Sequence, residues 1–420
     1  MSPSAGSPLA GSSLGVTPLG VRRQILEAIA AQVGTPTYVY DAAQLQADAD
    51  RWFQAAGQGA VFYSVKANGN LAILSRLAEW GLSAEVATEG ELGRALEAEI
   101  PPERIVFGGV PKSDVAIRRA LEAGLDLVVL QADREVDAAL RHANHDRPAA
   151  VGLRVRPGIV AGAHPSLETG RKDAKFGLAP DDVPGAWARL AASPGLSPTT
   201  LAVHLGSGLD SLEPYSRALD TLLELCDALA GSGQPVQGLD LGGGIGIDYA
   251  DGSGPQPEAL AAFVRERLAG TNLHVRYEPG RSVVARSGVL LMRVLYEQRN
   301  GGRPAVVCDA GFTDFSRFML YGAEHRIEPL EGSADGPPTV DVLGPTCETG
   351  DVLGTARALH GVEAGDLLLL RDVGAYGFTM ASNYNSRPRP AEVLVEGESW
   401  SVIRPRESLA DLWRGEAAGG

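Results

Sequence analysis

Between residue 61 and about residue 280, short unbroken apolar runs alternate with segments whose apolar positions recur at helical spacing. Short runs rich in β-branched residues suit strands covered on both faces, and the wider spacing suits helices packed against them. The runs predict strands at 61–65, 83–86, 104–107, 126–130, 150–155, 201–204, 238–241 and 275–278. Helices are predicted at 71–80, 91–98, 113–123, 135–142, 181–192, 215–229 and 258–268. That makes about eight strand–helix units, the number a closed (β/α)8 barrel requires. The alternative, an open doubly wound sheet, would hold apart the polar segments that a barrel gathers at one face.

Past residue 286 the pattern changes. Runs at 289–296, 304–308, 339–342, 366–371, 392–396 and 399–403 are separated by turns with few helical segments, which predicts a mostly-β second domain. The expected fold class is therefore α/β: a TIM-like (β/α)8 barrel plus a C-terminal mostly-β domain. The expected organisation is a disordered tail and lead-in at 1–37, the barrel at 38–285 and the β domain at 286–420. The run Tyr38-Val-Tyr40 either joins the second domain or leads into the barrel, and the pattern does not choose.

A chain of 420 residues with 44% hydrophobic content can bury a large core. No run approaches the length of a transmembrane helix. The first twenty residues are mostly Ser, Gly, Pro and Ala without a basic start, as in a disordered tail and not a signal peptide. Cys226, Cys308 and Cys347 are odd in number and too few for a disulfide framework, so a cytoplasmic location is expected. The 52 acidic residues exceed the 37 basic ones, for a formal charge of -15. Such a surface repels nucleic acid and anionic membranes, and neither is expected as a partner. An anionic small molecule would need a local cluster of arginines and backbone amides.

The polar and glycine-rich segments fall just after predicted strands, where a barrel places its active site. Lys66 ends the first strand; an apolar stem beneath it would desolvate the amine, lower its pKa and free it to form a Schiff base. By itself a lysine after a strand is more often a surface residue. Gly242-Gly-Gly-Ile-Gly246 lets backbone amides approach an anion closely, although its spacing is not that of a dinucleotide fingerprint. Arg281 adds a fixed charge suited to phosphate or carboxylate, and Ser207 a further donor. Glu278 could simply pair with an arginine; facing a pyridine nitrogen, it would keep that ring protonated and electron-withdrawing. His204, flat and neutral at pH 7, could stack on such a ring, though a lone histidine is more often structural.

The motifs, taken together, resemble the pyridoxal-phosphate-dependent decarboxylases with a barrel and a β domain, and most closely the diaminopimelate decarboxylases. The resemblance is carried by Tyr63-Ser-Val-Lys-Ala-Asn68, His164-Pro165, Thr169-Gly170, Lys175-Phe-Gly177, His204-Leu-Gly-Ser207, Gly242-Gly-Gly244 and Glu278-Pro-Gly-Arg281. It continues through Asp309-Ala-Gly311, Arg317, Tyr321-Gly-Ala323, Cys347-Glu-Thr-Gly-Asp351, Gly374-Ala-Tyr-Gly-Phe378 and Ser382-Asn-Tyr-Asn-Ser-Arg-Pro388. The segments keep family order, and Cys-Glu-x-Gly-Asp with Ala-Tyr-Gly is specific as such motifs go.

The resemblance implies the fold of that family (fold type III), pyridoxal 5'-phosphate as cofactor, and a homodimer with active sites at the subunit interface. It implies decarboxylation of meso-2,6-diaminopimelate to L-lysine and carbon dioxide. It also implies residue roles. Lys66 holds the cofactor covalently, His204 stacks on its ring, and Glu278 holds the pyridine nitrogen. Ser207, Gly243, Gly244, Gly280 and Arg281 surround the phosphate, and Tyr376 reaches the cofactor from the second domain. Arg281, Arg317 and Tyr321 resemble a clamp for the substrate's distal carboxylate; Glu348 resembles the partner of its distal amine, and Tyr376 also touches substrate. Cys347 resembles the residue that enters the partner subunit's site and returns a proton to the reacting carbon; a thiol, ionising at about pH 8.5, is a usable acid near neutrality.

The chain departs from the family pattern at Arg317-Phe318, at Gly311-Phe-Thr-Asp314, at Glu85 and at Ser207-Gly208. Phe318 could reshape the distal pocket. Decarboxylases of other carboxylate-bearing amino acids, such as siderophore or polyamine intermediates, would share every catalytic residue. A racemase on the same barrel would be expected to carry arginine where Glu278 sits. A non-catalytic pyridoxal-binding homologue would be expected to lack Lys66 or Cys347.

Overall fold

The computed structural model describes residues 20–162, 168–247, 249, 254–331 and 339–417. The expected N-terminal tail (1–19) and the His164-Pro165 pair lie outside the described residues.

The first strand, β1 (Thr37–Asp41), is followed by eight that pair in parallel in chain order: β2 (Phe62–Ser64), β3 (Ser83–Val86), β4 (Ile105–Phe107), β5 (Leu127–Leu130), β6 (Ala149–Arg154), β7 (Leu196–Ala202), β8 (Gly238–Asp240) and β9 (His274–Arg276). The ring closes where the Phe62 N–H donates to the Tyr277 carbonyl at 2.8 Å and the Ser64 N–H to Pro279 at 3.0 Å. The predicted barrel is thus present, and its strands match the apolar runs to within a few residues, because strands buried on both faces need no alternation.

The second sheet has nine strands, with order β14-β13-β11-β10-β1-β16-β17 and with β15 on β10 and β12 on β15. Its later members are β10 (Gly288–Asn300), β11 (Arg303–Cys308), β12 (Ile327–Pro329), β13 (Thr339–Leu343), β14 (Val352–Ala358), β15 (Leu367–Leu370), β16 (Ala391–Glu396) and β17 (Ser399–Arg404). β1 runs antiparallel to β10 and parallel to β16. Tyr38-Val-Tyr40 therefore belongs to this sheet. Two buried hydroxyls pin it there: Tyr40 donates to Glu392 at 2.8 Å, and Tyr38 to the Asp314 carbonyl at 2.6 Å.

Several elements escape the pattern. β12 has three residues and β14 includes Gly354, Thr355 and Arg357, so neither shows a clear apolar run. The helix Arg23–Gln32 buries only Leu26, Ile29 and Ala30. The helix Ala42–Ala56 is rich in alanine, which forms helices well but gives little hydrophobic contrast; Asp41 caps it by accepting from the Ala43 N–H at 2.9 Å.

The loop between β15 and β16 seats the second sheet on the barrel's mouth. Asn68 Nδ2 donates to the Gly374 carbonyl at 3.1 Å, and the Tyr376 N–H to Ala67 at 2.8 Å. Gly374 is required there, since a Cβ would lie 2.0 Å from the Val284 carbonyl oxygen. Tyr376 sits at φ 56°, a left-handed conformation costly for a bulky residue and typical of functional loops. Among the described residues no helix is long and apolar enough to cross a membrane.

Candidate active site

Lys66 follows β2 in one 3₁₀ turn, Val65–Ala67. Its Nζ donates to Glu85 Oε2 at 2.8 Å, and the Ser64 hydroxyl donates to the same oxygen at 2.6 Å. The expectation of a lowered lysine pKa is overturned. Burial acts in that direction, but Glu85, Tyr376 and Glu278 outweigh it and raise the Lys66 ammonium above its ordinary value. The side chain is also 36% exposed, so its desolvation is incomplete. Glu85 in turn is deeply buried, which would raise its pKa, yet Lys66 and Ser64 hold it low.

Three carboxylates meet under this lysine. A Cβ on Gly108 would lie 3.1 Å from Glu85 Oε1 and 3.6 Å from Glu278 Oε1, so both carboxyl groups converge there. Asp240, at the end of β8, accepts from the Gly242 N–H at 2.9 Å through Oδ1, while its buried Oδ2 has no hydrogen-bond donor. Burial, then the neighbouring Asp240 and Glu85, push the Glu278 carboxyl well above the usual carboxylate range. Arg154, at the end of β6, donates to Gln131 at 3.2 Å and to the His204 carbonyl at 3.3 Å.

His204 is kept neutral by burial, with Lys66 and Arg154 adding to the effect. Its Nδ1 accepts from the Gly243 N–H at 3.2 Å, which places the ring proton on Nε2. That contact needs a glycine at 243, because a Cβ would lie 2.2 Å from the Glu278 carbonyl oxygen. Arg281 Nη2 donates to Ser207 at 2.8 Å and Nη1 to the Tyr249 hydroxyl at 2.7 Å, and the guanidinium lies 4.9 Å from the Tyr376 ring centroid. Arg317 Nη1 donates to the same Tyr249 oxygen at 2.9 Å and to His325 Nε2 at 3.3 Å.

The structure thus gathers Lys66, His204, Ser207, Gly243, Gly244, Glu278, Gly280, Arg281 and Tyr376 around one cavity. Arg317 is joined to it through Tyr249, and Tyr321 ends the same short helix, Arg317–Tyr321. Cys347 and Glu348 do not line it. Both are exposed on the second sheet's surface, where the Cys347 thiol donates to Asn385 Oδ1 at 3.3 Å and the Tyr384 hydroxyl to Glu348. Sequence reasoning missed Tyr249, Asp240, Arg154 and His325, and noted Glu85 only as a departure. Glu85, Asp240 and Arg154 each lie at the C-terminal end of a barrel strand, a signal that could have found them.

Residues 42–285 match the family described as pyridoxal-dependent decarboxylase, pyridoxal binding domain. The chain belongs to the pyridoxal-dependent decarboxylases. It is similar to the diaminopimelate decarboxylase of Pseudomonas aeruginosa, at 42% identity over 93% of this chain and 95% of the relative. It is similar also to that of Zymomonas mobilis, at 40% over 93% and 94%. The crystal structure of the Helicobacter pylori diaminopimelate decarboxylase, complexed with L-lysine, superposes with a TM-score of 0.87 at 36% identity, covering 92% of this chain and 98% of that one. Membership makes the chain a carbon–carbon lyase that uses pyridoxal 5'-phosphate.

The residues present fit that cofactor. Ser207, Arg281 (whose buried Nε has no partner) and the glycine turn offer donors for a phosphate dianion. A neutral imidazole suits a ring face, a buried acid suits the ring nitrogen, and a lysine suits the aldehyde.

The pH dependence of the cofactor-free protein tests the acid. A carboxyl whose folded pKa is raised contributes stability below its unfolded value of about 4.3 and loses it as pH climbs toward the folded value. Glutamine has no proton to lose. Glu278→Gln is therefore expected to gain stability relative to wild type as pH rises above about 4 toward the raised folded value, with a slope of about 1.4 kcal/mol per pH unit. Thermal melts of both proteins across that range read the difference; parallel curves would place an ionised carboxylate at 278.

Proposed function

We propose that this protein decarboxylates meso-2,6-diaminopimelate to L-lysine and carbon dioxide, as a cytoplasmic homodimer serving lysine biosynthesis. The observation that carries the substrate is the convergence of two buried guanidiniums, Arg281 and Arg317, on one point beside the cavity that Lys66 lines. Two buried cations aimed at a single oxygen form a seat for a carboxylate that is not the one lost. A substrate without that group leaves two buried charges without a counter-ion.

The cofactor, when bound, supplies an electron sink for the breaking carbon–carbon bond. The rest is the work of this chain's side chains. Lys66 is the covalent anchor, and Glu85 Oε2, its 2.8 Å acceptor, holds the amine in place. Glu278, with Asp240 and Glu85 behind it, would hold the ring nitrogen. His204 covers the ring's face, while Ser207, Gly243, Gly244, Gly280 and Arg281 hold the phosphate. Arg317, Tyr321 and Arg281 orient the distal carboxylate, and Tyr376 closes the cavity from the second sheet's loop.

Cys347 and Glu348 stand on the surface, so in this reading they complete the partner's site: Glu348 for the distal amine, and Cys347 Sγ–H as the acid for the carbon that has lost carbon dioxide. Exposed Met319, Leu320 and Tyr384 accompany this segment, as an interface would require. A panel of meso-diaminopimelate, ornithine, arginine and carboxynorspermidine, read as carbon dioxide release, tests the substrate. Release from ornithine or arginine with none from diaminopimelate would overturn it. On diaminopimelate, Arg317→Met is expected to raise KM by roughly 100-fold, the cost of losing a charged hydrogen bond.

A further inference from the structure

We propose that Tyr249 is a specificity-determining residue whose hydroxyl, positioned by Arg281 and Arg317, donates a hydrogen bond to the substrate's distal carboxylate. This rests on the reading that the substrate carries such a carboxylate. Tyr249 follows the Gly242–Gly246 turn on the loop after β8. Its oxygen accepts from Arg281 Nη1 at 2.7 Å and from Arg317 Nη1 at 2.9 Å. A phenol oxygen has two lone pairs and one hydrogen, and here both lone pairs are engaged. The hydrogen must go elsewhere, and guanidinium cannot take it.

Nor can the neighbouring imidazole. His325 lies with its ring centroid 4.3 Å from that of Tyr249, its Nε2 faces Arg317 at 3.3 Å and its Nδ1 faces the Arg371 carbonyl at 2.8 Å. Nδ1 must donate to that carbonyl, which leaves Nε2 to accept from the guanidinium. Burial holds this imidazole neutral, pushed down to about 3 with help from Arg317. Among the described residues, then, no hydrogen bond takes up the Tyr249 proton. The ring packs against His325, and the Arg317 guanidinium lies 5.6 Å from its centroid. Burial would raise the phenol's pKa, but Arg281 and Arg317 together lower it, which makes the O–H a stronger donor.

Two buried cations and one neutral donor thus meet at one point beside the cavity. The two arginines supply charge, which any anion satisfies. Tyr249 supplies direction, since its hydrogen has one free path. A substrate ending in an amine alone would leave the Tyr249 proton without an acceptor and set a cation beside two others.

The test uses the cofactor-loaded protein with L-lysine, which keeps the distal carboxylate, and cadaverine, the same chain without it. Wild type is expected to bind L-lysine more tightly in calorimetric titration. Tyr249→Phe keeps the ring on His325 and removes only the donor. It is expected to weaken L-lysine by about 10- to 100-fold and to change cadaverine by less than about 2-fold. KM for diaminopimelate should rise in step while kcat and the bound cofactor's visible absorption stay near wild type. Equal losses for both ligands, or a shifted absorption, would reveal a structural role and overturn the proposal. Wild-type preference fully retained in Tyr249→Phe would overturn it while leaving the substrate reading intact. A wild type that does not tell the two ligands apart would overturn the substrate reading, and this proposal with it.

Discussion

Lys66→Ala is expected to lower kcat on the order of ten-thousand-fold or more, because it removes both the covalent anchor and a proton-handling group in one step. The structure adds a second consequence. Glu85 loses the partner that, with Ser64, keeps its buried carboxylate ionised, so the alanine variant is also expected to melt earlier. Lys66→Arg separates the two effects. A guanidinium keeps a cation beside Glu85 but does not condense with an aldehyde, so the arginine variant should melt near wild type and be equally inactive. Borohydride treatment supplies the direct readout: wild type should gain the mass of a reduced cofactor at Lys66, and neither variant should. Turnover in Lys66→Ala, or cofactor fixed covalently at another position, would remove the basis of the mechanism.

What could be read in advance, and what could not, follows from how each feature is encoded. Barrel strands carry unbroken apolar runs, so β3 is predicted residue for residue and six others to within two positions, while β7 starts five residues before its run. Elements defined by tertiary contact are harder. β1 is a short aromatic run whose partners, β10 and β16, come roughly 250 and 350 residues later, and nothing local says which sheet receives it. The site behaves likewise. Residues inside specific motifs, such as Lys66, Glu278 and Arg281, can be singled out one by one. Asp240 and Glu85 are ordinary acidic residues until folding sets them against Glu278. Only then does burial of three carboxyl groups together decide which of them keeps a proton.

The protonation of Lys66 shows the same limit more sharply. An apolar stem argues for a depressed amine, and the stem is there. What reverses the result is chiefly one carboxylate nineteen residues away in sequence and 2.8 Å away in space, with Tyr376 and Glu278 adding to it. A charge at hydrogen-bond distance outweighs incomplete desolvation, so the sign of the shift depended on a contact that periodicity does not encode.

Cys347 gives the other large effect, and one that reaches beyond a single chain. Cys347→Ala is expected to reduce kcat by about 100- to 10,000-fold, the usual worth of a positioned acid, although the thiol is exposed and does not line the Lys66 cavity. Such a loss at such a distance makes sense if the acid serves the neighbouring subunit. Mixing decides the matter. Lys66→Ala and Cys347→Ala are each expected to be inactive alone. Unfolded and refolded together in equal amounts, they should form mixed dimers in which one site has its lysine from one chain and its cysteine from the other. Half of randomly paired dimers are mixed and each holds one intact site, so activity should return to about one quarter of wild type. If Cys347 instead served its own chain, every site in the mixture would lack one of the two groups and no activity would return.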